Sequence, residues 1–222
     1  MFSLLIGSKN SLHISNNQLK REEYKEQLKE NASIGKLSDI NFSEVPRSRF
    51  SSRYVLNKMD GSLSAFCNLM TDKNFYEVEV PQWQLINQFM QIKGYNCQMA
   101  KGSYGGRDFE IWFTPEIPIQ DGPFVFKNLP GLVLNVNDTK NHYVFELLSI
   151  VYNDVNVEFE TFVEGSNATK RTEFMKMKKR FNENIVSVIE QAGFVMEESQ
   201  KSTYIKNREQ SRRLNINPLE LE

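Results

Sequence analysis

Residues 114–136, TPEIPIQDGPFVFKNLPGLVLNV, contain Pro115, Pro118, Pro123 and Pro130, four of the chain's seven prolines, together with Gly122 and Gly131. Proline gives no N–H to a hydrogen-bond ladder and fixes its own φ, so neither a strand nor a helix can run unbroken through such a segment. The intervening residues are nonetheless apolar, with Phe124, Val125 and Phe126 followed by Leu132 to Val136. The segment is therefore predicted to be a rigid connection between two strands that could line a cavity. Pro115 and Pro118 end the first strand, Gly122 and Pro123 turn the chain, and Asn128 to Gly131 make a tight corner into the second.

The strands on either side read clearly. In RDFEIWFT, Phe109, Ile111 and Phe113 share one face, while Asp108, Glu110 and Trp112 share the other. The tryptophan is thus exposed or lines a groove. Upstream, FSLLI and SLHIS are joined by GSKN as a hairpin, and SRYVLN, SLSAFCNLM, FYEVEV, WQLI and YNCQMAKGSY follow in the manner of an antiparallel meander. Lys58 to Gly61 and Tyr104 to Gly106 are its best turns. Downstream, LVLNVND and HYVFELLSIVY are further strands. A weakly amphipathic surface helix is predicted near 18–30, followed by a loop over 31–50. A longer helix near 169–191 carries an apolar stripe of Phe174, Met177, Phe181, Ile185, Val188 and Ile189, with Gly193 as its cap. Residues 207–222 form a polar tail. The expected fold class is α+β, mainly β, in one domain over 1–222.

Several functions are disfavoured. The formal net charge of −1 offers no general attraction for nucleic acid or acidic lipid. Charge is uneven, because residues 114–168 hold eight acids against Lys127 and Lys140, whereas 169–213 hold eleven Lys or Arg against six acids. This predicts one acidic and one basic face, both solvated. Cys67 and Cys97 lie in apolar runs and are expected as buried free thiols. No window has the length of a transmembrane helix, and MFSLLIGSKN is too short and lacks the basic start of a signal peptide.

Catalytic patterns are equally sparse. GSYGGRDF precedes a strand, so it offers no helix N-terminus to a phosphate and reads as a hairpin turn. His13 and His142 lie outside any metal-ligand spacing, and EGSNA lacks the setting of a nucleophile elbow. No metal or cofactor is implied. Asp108, Glu110, Glu116, Asp121 and His142 are the candidates for acid–base work; Asp108 and Glu110 lie about 7 Å apart on one strand face.

The run from Gly94 to Asp138 resembles the GLPGLI family, also called Porph_ging, of bacterial envelope proteins. The resemblance is carried by Gly94, Tyr95, Cys97 and Ala100, by Gly106 and Arg107, by Trp112, Phe113, Thr114, Ile117 and Pro118, by Gly122 and Pro123, and by Leu129, Pro130, Gly131, Leu132 and Val133. Asn128 stands where the motif has its first glycine, and asparagine tolerates positive φ best among the other residues. The resemblance implies a periplasmic, outer-membrane-associated or secreted protein of unestablished activity, lacking here the family's signal peptide and first strand. By fold-level analogy it implies a strongly curved antiparallel sheet, an open or half barrel closed by a helix.

Three functions follow. In the preferred one, a non-enzymatic envelope protein binds a lipid-like or peptide ligand, or a protein partner, in the concavity of the sheet, with Trp112, Phe124 and Phe126 near its mouth. In the second, a hydrolase uses the acidic residues around the proline-rich segment. In the third, the domain is a structural or surface interaction module.

Overall fold

A computed structural model describes residues 1–33, 50–69, 72–154, 156–184, 186–187, 190, 197–199 and 201–206. Most of the expected loop over 31–50, the stripe residues Ile185, Val188 and Ile189, the Gly193 cap and the 207–222 tail lie outside the described residues. In chain order the elements are β1 (Phe2–Ile6), β2 (Asn10–Ser15), α1 (Asn16–Ser33), β3 (Arg53–Asn57), β4 (Leu63–Leu69), β5 (Asp72–Val78), β6 (Gln84–Ile92), β7 (Tyr95–Tyr104), β8 (Arg107–Thr114), β9 (Leu132–Asp138), β10 (Val144–Glu146), α2 (Phe159–Val163), β11 (Ser166–Ala168) and α3 (Arg171–Glu183). The described residues are mainly β, in two sheets that are antiparallel except for one parallel pair, with few helices. None of the described helices is long and apolar enough to cross a membrane.

Where the sequence reading has one sheet, the strands divide between two, in two compact units: Met1–Glu79 with Val151–Arg171, and Val80–Ile150 with Thr172–Glu222. The break falls at Val80–Pro81, where the proline withholds a ladder donor from any continuing strand.

The first unit holds a six-stranded sheet in the order β1-β2-β3-β4-β5-β11. Its β1–β2 hairpin closes with the Gly7 N–H on the Asn10 carbonyl at 2.9 Å, as the GSKN turn predicts. Ser15 ends β2 and caps α1, its Oγ accepting from the Gln18 N–H at 3.1 Å. One face of the sheet buries Leu12, Ile14, Val55 and Phe66 with Val157. Leu19 of α1 and Phe159, Phe162 and Val163 of α2 pack against them, which explains two helices lying over this face. β11 pairs in parallel with β5, opposite Lys73 to Phe75.

The second unit is a five-stranded antiparallel sheet in the order β10-β9-β8-β7-β6. β7, β8 and β9 have the predicted bounds because turns mark their ends, with Lys93 and Gly94 at φ 52 and 88 and Gly105 and Gly106 at φ 54 and 73. Phe109, Ile111 and Phe113 point to the core, with Val136 opposite Ile111. The proline-rich connection supplies the other half of that core. Phe126 is fully buried and lies 4.9 Å from Phe109 edge to face, 5.7 Å from Phe145 and 5.6 Å from Trp83. Phe124 sits edge-on to Tyr104. The corner is as tight as predicted, with Asn128 at φ 62. At Gly131 any Cβ would fall onto the Thr114 carbonyl, so only glycine fits. α3 buries Phe174.

Candidate functional site

On the face of this sheet turned away from the phenylalanine core, strand register sets side chains in rows. Antiparallel partners share a face, so Ile86, Met99, Trp112, Asn135 and Glu146 form one row across β6 to β10. The next row is Gln84, Lys101, Glu110, Asn137 and Val144, and a third begins with Ser103 beside Asp108. A register shift between Trp112 and Phe113 places Leu134 as an extra residue in β9. Such bulges twist a strand locally and re-aim the side chain beside them.

The polar members are held in place. The Lys101 ammonium meets the Glu110 carboxylate at 2.7 Å, Asn137 donates its amide to the Asn135 side-chain carbonyl at 3.0 Å, and the Ser103 hydroxyl donates to Asp108 at 2.5 Å. Trp112 is half-buried, with Asn135 half-buried beside it and Glu146 exposed beyond. The Trp112 ring thus has the buried Met99 on one side and amide and carboxylate groups on the other. Such a surface matches a flat ligand with C–H bonds on its face and hydroxyls around its rim: the ring's negative π face attracts the C–H edges, and the rim hydroxyls meet both donors and acceptors.

The sequence candidates scatter. Trp112, Asp108 and Glu110 lie on this platform, whereas Phe124 and Phe126 are buried on the opposite side of the sheet. Glu116 accepts from the backbone N–H and side-chain amide of Asn96, at 2.7 and 2.8 Å, fastening the connection to the start of β7. Asp121 is buried with Lys127, whose ammonium donates to it at 2.5 Å and to the Gly122 carbonyl at 2.8 Å. This ion pair pins the connection. No hydrogen bond joins any two of Asp108, Glu110, Glu116, Asp121 and His142 among the described residues.

His142 belongs to another cluster. Arg107 is buried, donates to Asp138 at 3.1 Å and lies over the Tyr143 ring at 5.0 Å. Asp138 also accepts from the Tyr143 N–H at 2.8 Å, so it closes the turn between β9 and β10. The His142 Nδ1 lies 3.4 Å from the Arg107 guanidinium and 3.9 Å from Asp138. Burial pushes the Asp138 carboxyl up, but the backbone N–H groups of Tyr143 and His142 and then the Arg107 guanidinium outweigh it, leaving the pKa below the usual range. Burial raises the Tyr143 phenol. It also raises the Cys97 thiol, and Cys97 and Cys67 are both buried and not disulfide-bonded. Among the described residues no three His, Cys, Asp or Glu gather to hold a metal ion.

Asn135, Asn137, Glu146 and Lys101 were not singled out in the sequence. Alternation in LVLNVND already put Asn135 and Asn137 opposite the apolar face of their strand, but only register puts them beside Trp112.

A family model described as the N-glycanase peptide, N-terminal domain, matches residues 50–171, more than half of the chain. Among curated proteins nothing matches. Two crystal forms of PNGF-II, in space groups C2 and P21, each align with the chain at 14% identity and a TM-score of 0.49, over 79% of this chain and 29% of theirs. The chain thus spans about 29% of the length of those structures. The family match overturns the resemblance to the GLPGLI (Porph_ging) family. The motif residues explain the confusion, since they serve the backbone. Gly94 and Gly106 turn hairpins, the Thr114 hydroxyl donates to the Asn96 carbonyl at 2.9 Å, and Gly131 fits against Thr114. Such a motif identifies a kind of strand connection, and a connection can recur without common ancestry.

Proposed function

The chain belongs to the family of N-glycanase N-terminal domains, and from that premise we propose that it recognises the glycan of a glycoprotein through the Trp112 platform and leaves bond cleavage to other groups. The observation that carries this reading is the half-buried Trp112 in line with the buried Met99 on one side and with Asn135 and Glu146 on the other. A half-buried tryptophan buries less apolar surface than it could. A sugar ring laid on it would recover that loss. Lipid-like cargo has less support, because Phe124 and Phe126 fill the interior beneath the sheet rather than line an opening. The hydrolase reading has less support too, since each candidate acid is engaged separately with a lysine, an amide or a hydroxyl. Work outside the cytoplasm belongs to the same proposal, because glycoproteins are met there.

Calorimetric titration of a neutral N-linked glycopeptide into the purified protein tests the reading. Saturable binding is expected, weakened at least about tenfold by Trp112→Ala, the order of loss typical for a central aromatic contact, with the melting temperature of the variant little changed. Undiminished binding by a folded Trp112→Ala protein would overturn it.

A further inference from the structure

We infer that the Trp112 platform selects uncharged glycans over those ending in sialic acid, uronate or sulfate, and that Glu146 and Asp108 determine that selection. The inference rests on the glycan-binding reading. Among the described residues, the charged groups on the three rows are Glu146, Glu110, Asp108 and Lys101. Lys101 is the sole cation of this set, and it is already committed to Glu110 at 2.7 Å. No guanidinium or ammonium is therefore left on the rows to receive an anionic sugar. Glu146 lies directly across from Asn135, which lies directly across from Trp112. With strands about 4.8 Å apart, a disaccharide stacked on Trp112 along the row reaches the Glu146 carboxylate.

The two possible ligands then meet that carboxylate differently. A neutral sugar offers hydroxyl donors, and a hydroxyl hydrogen bond to an ionised acceptor is the stronger kind. A glycan carrying its own carboxylate or sulfate offers an acceptor to an acceptor and adds like-charge repulsion. At about 7 Å in water, one such repulsion corresponds to roughly a threefold loss of affinity, and a second exposed acid at Asp108 takes the total towards tenfold at low salt. Repulsion between exposed charges is screened as salt rises, so the selection should be a low-salt property.

One N-glycopeptide, in its sialylated form and after enzymatic desialylation, provides the probe. Binding of each form to the full chain is measured by calorimetry in 20 and 300 mM NaCl, for the wild-type protein, Glu146→Gln, and Glu146→Gln combined with Asp108→Asn. The wild-type protein is expected to bind the desialylated form about three- to tenfold more tightly in 20 mM salt. That ratio should fall towards one in 300 mM salt, drop at least about twofold in Glu146→Gln, and drop further in the double variant. Equal affinity of the wild-type protein for both forms in 20 mM salt would overturn the charge selection alone. So would a ratio that the double variant, still folded by its melting curve, leaves untouched. Binding of neither form would overturn the platform itself.

Discussion

Asp138 shows how one carboxylate can hold a turn together and tie stability to pH. It accepts from the Tyr143 N–H and from the buried Arg107, and its folded-state pKa lies below the ordinary value. In the unfolded chain the same carboxyl titrates near 3.9, so between the two values the unfolded state holds more protons. The stabilisation is therefore fully present above about pH 5 and is lost as the pH falls through the folded value. Asp138→Asn should lower the melting temperature at pH 7 and flatten its decline between about pH 5 and pH 3 relative to the parent protein. An identical slope in both proteins would show that Asp138 is not a source of the acid sensitivity. None of this was legible in the sequence. Arg107 stands thirty-one positions from Asp138, and spacing along a chain cannot reveal which charges two adjacent strands will bring together.

At the scale of elements, legibility followed punctuation. YNCQMAKGSY, RDFEIWFT and LVLNVND became β7, β8 and β9 to the residue, because glycine turns and proline stops bounded these β-prone runs. α1 runs from Asn16 to Ser33, beyond the 18–30 expected, because Ser15 caps it earlier than the charge pairs suggested. β10 keeps only Val144–Glu146 of a longer apolar run. β11 is three residues, SNA, whose strand character comes from the edge of β5 rather than from their own propensity. The proline-rich connection answered its sequence closely, and its most exacting position is Gly131. Gly131→Ala places a Cβ onto the Thr114 carbonyl, a backbone atom that cannot rotate away, so a loss of about 3 kcal/mol is expected. For a chain of this size that is a drop of roughly 6–12 °C. Gly61→Ala, where the Cβ would meet open space and only the positive φ is strained, should lose about 1 kcal/mol. An unshifted melting temperature in Gly131→Ala would refute the tight corner.

For the whole molecule, the alternation of each strand was readable while the choice of neighbour was not. Period-two patterning tells which face of a strand is dry, but it is silent on which strand lies alongside. The meander therefore read as one sheet, and a single proline at Pro81 divides it into two compact units. The same gap explains the candidate site. Trp112 was conspicuous in its strand as an aromatic residue on the polar side, yet Asn135 and Glu146 became its neighbours only through the pairing of β8 with β9 and of β9 with β10. Family identity was misread for a related reason. The residues most legible in the sequence are those that solve a backbone problem, and a backbone solution is weaker evidence of descent than a match extending over residues 50–171.

The central claim, that Trp112 receives a sugar, can be watched directly because the chain has two tryptophans and the second is an internal control. The Trp83 indole N–H donates to the Lys127 carbonyl at 3.0 Å, beside Phe126, on the core side of the sheet. In a ¹⁵N-resolved NMR titration with a neutral N-linked glycopeptide, the indole signal of Trp112 and the side-chain amide signals of Asn135 and Asn137 should shift together and saturate, while the Trp83 indole stays in place. A Trp112 signal that does not move at saturating glycopeptide, or a response confined to Trp83, would contradict the account.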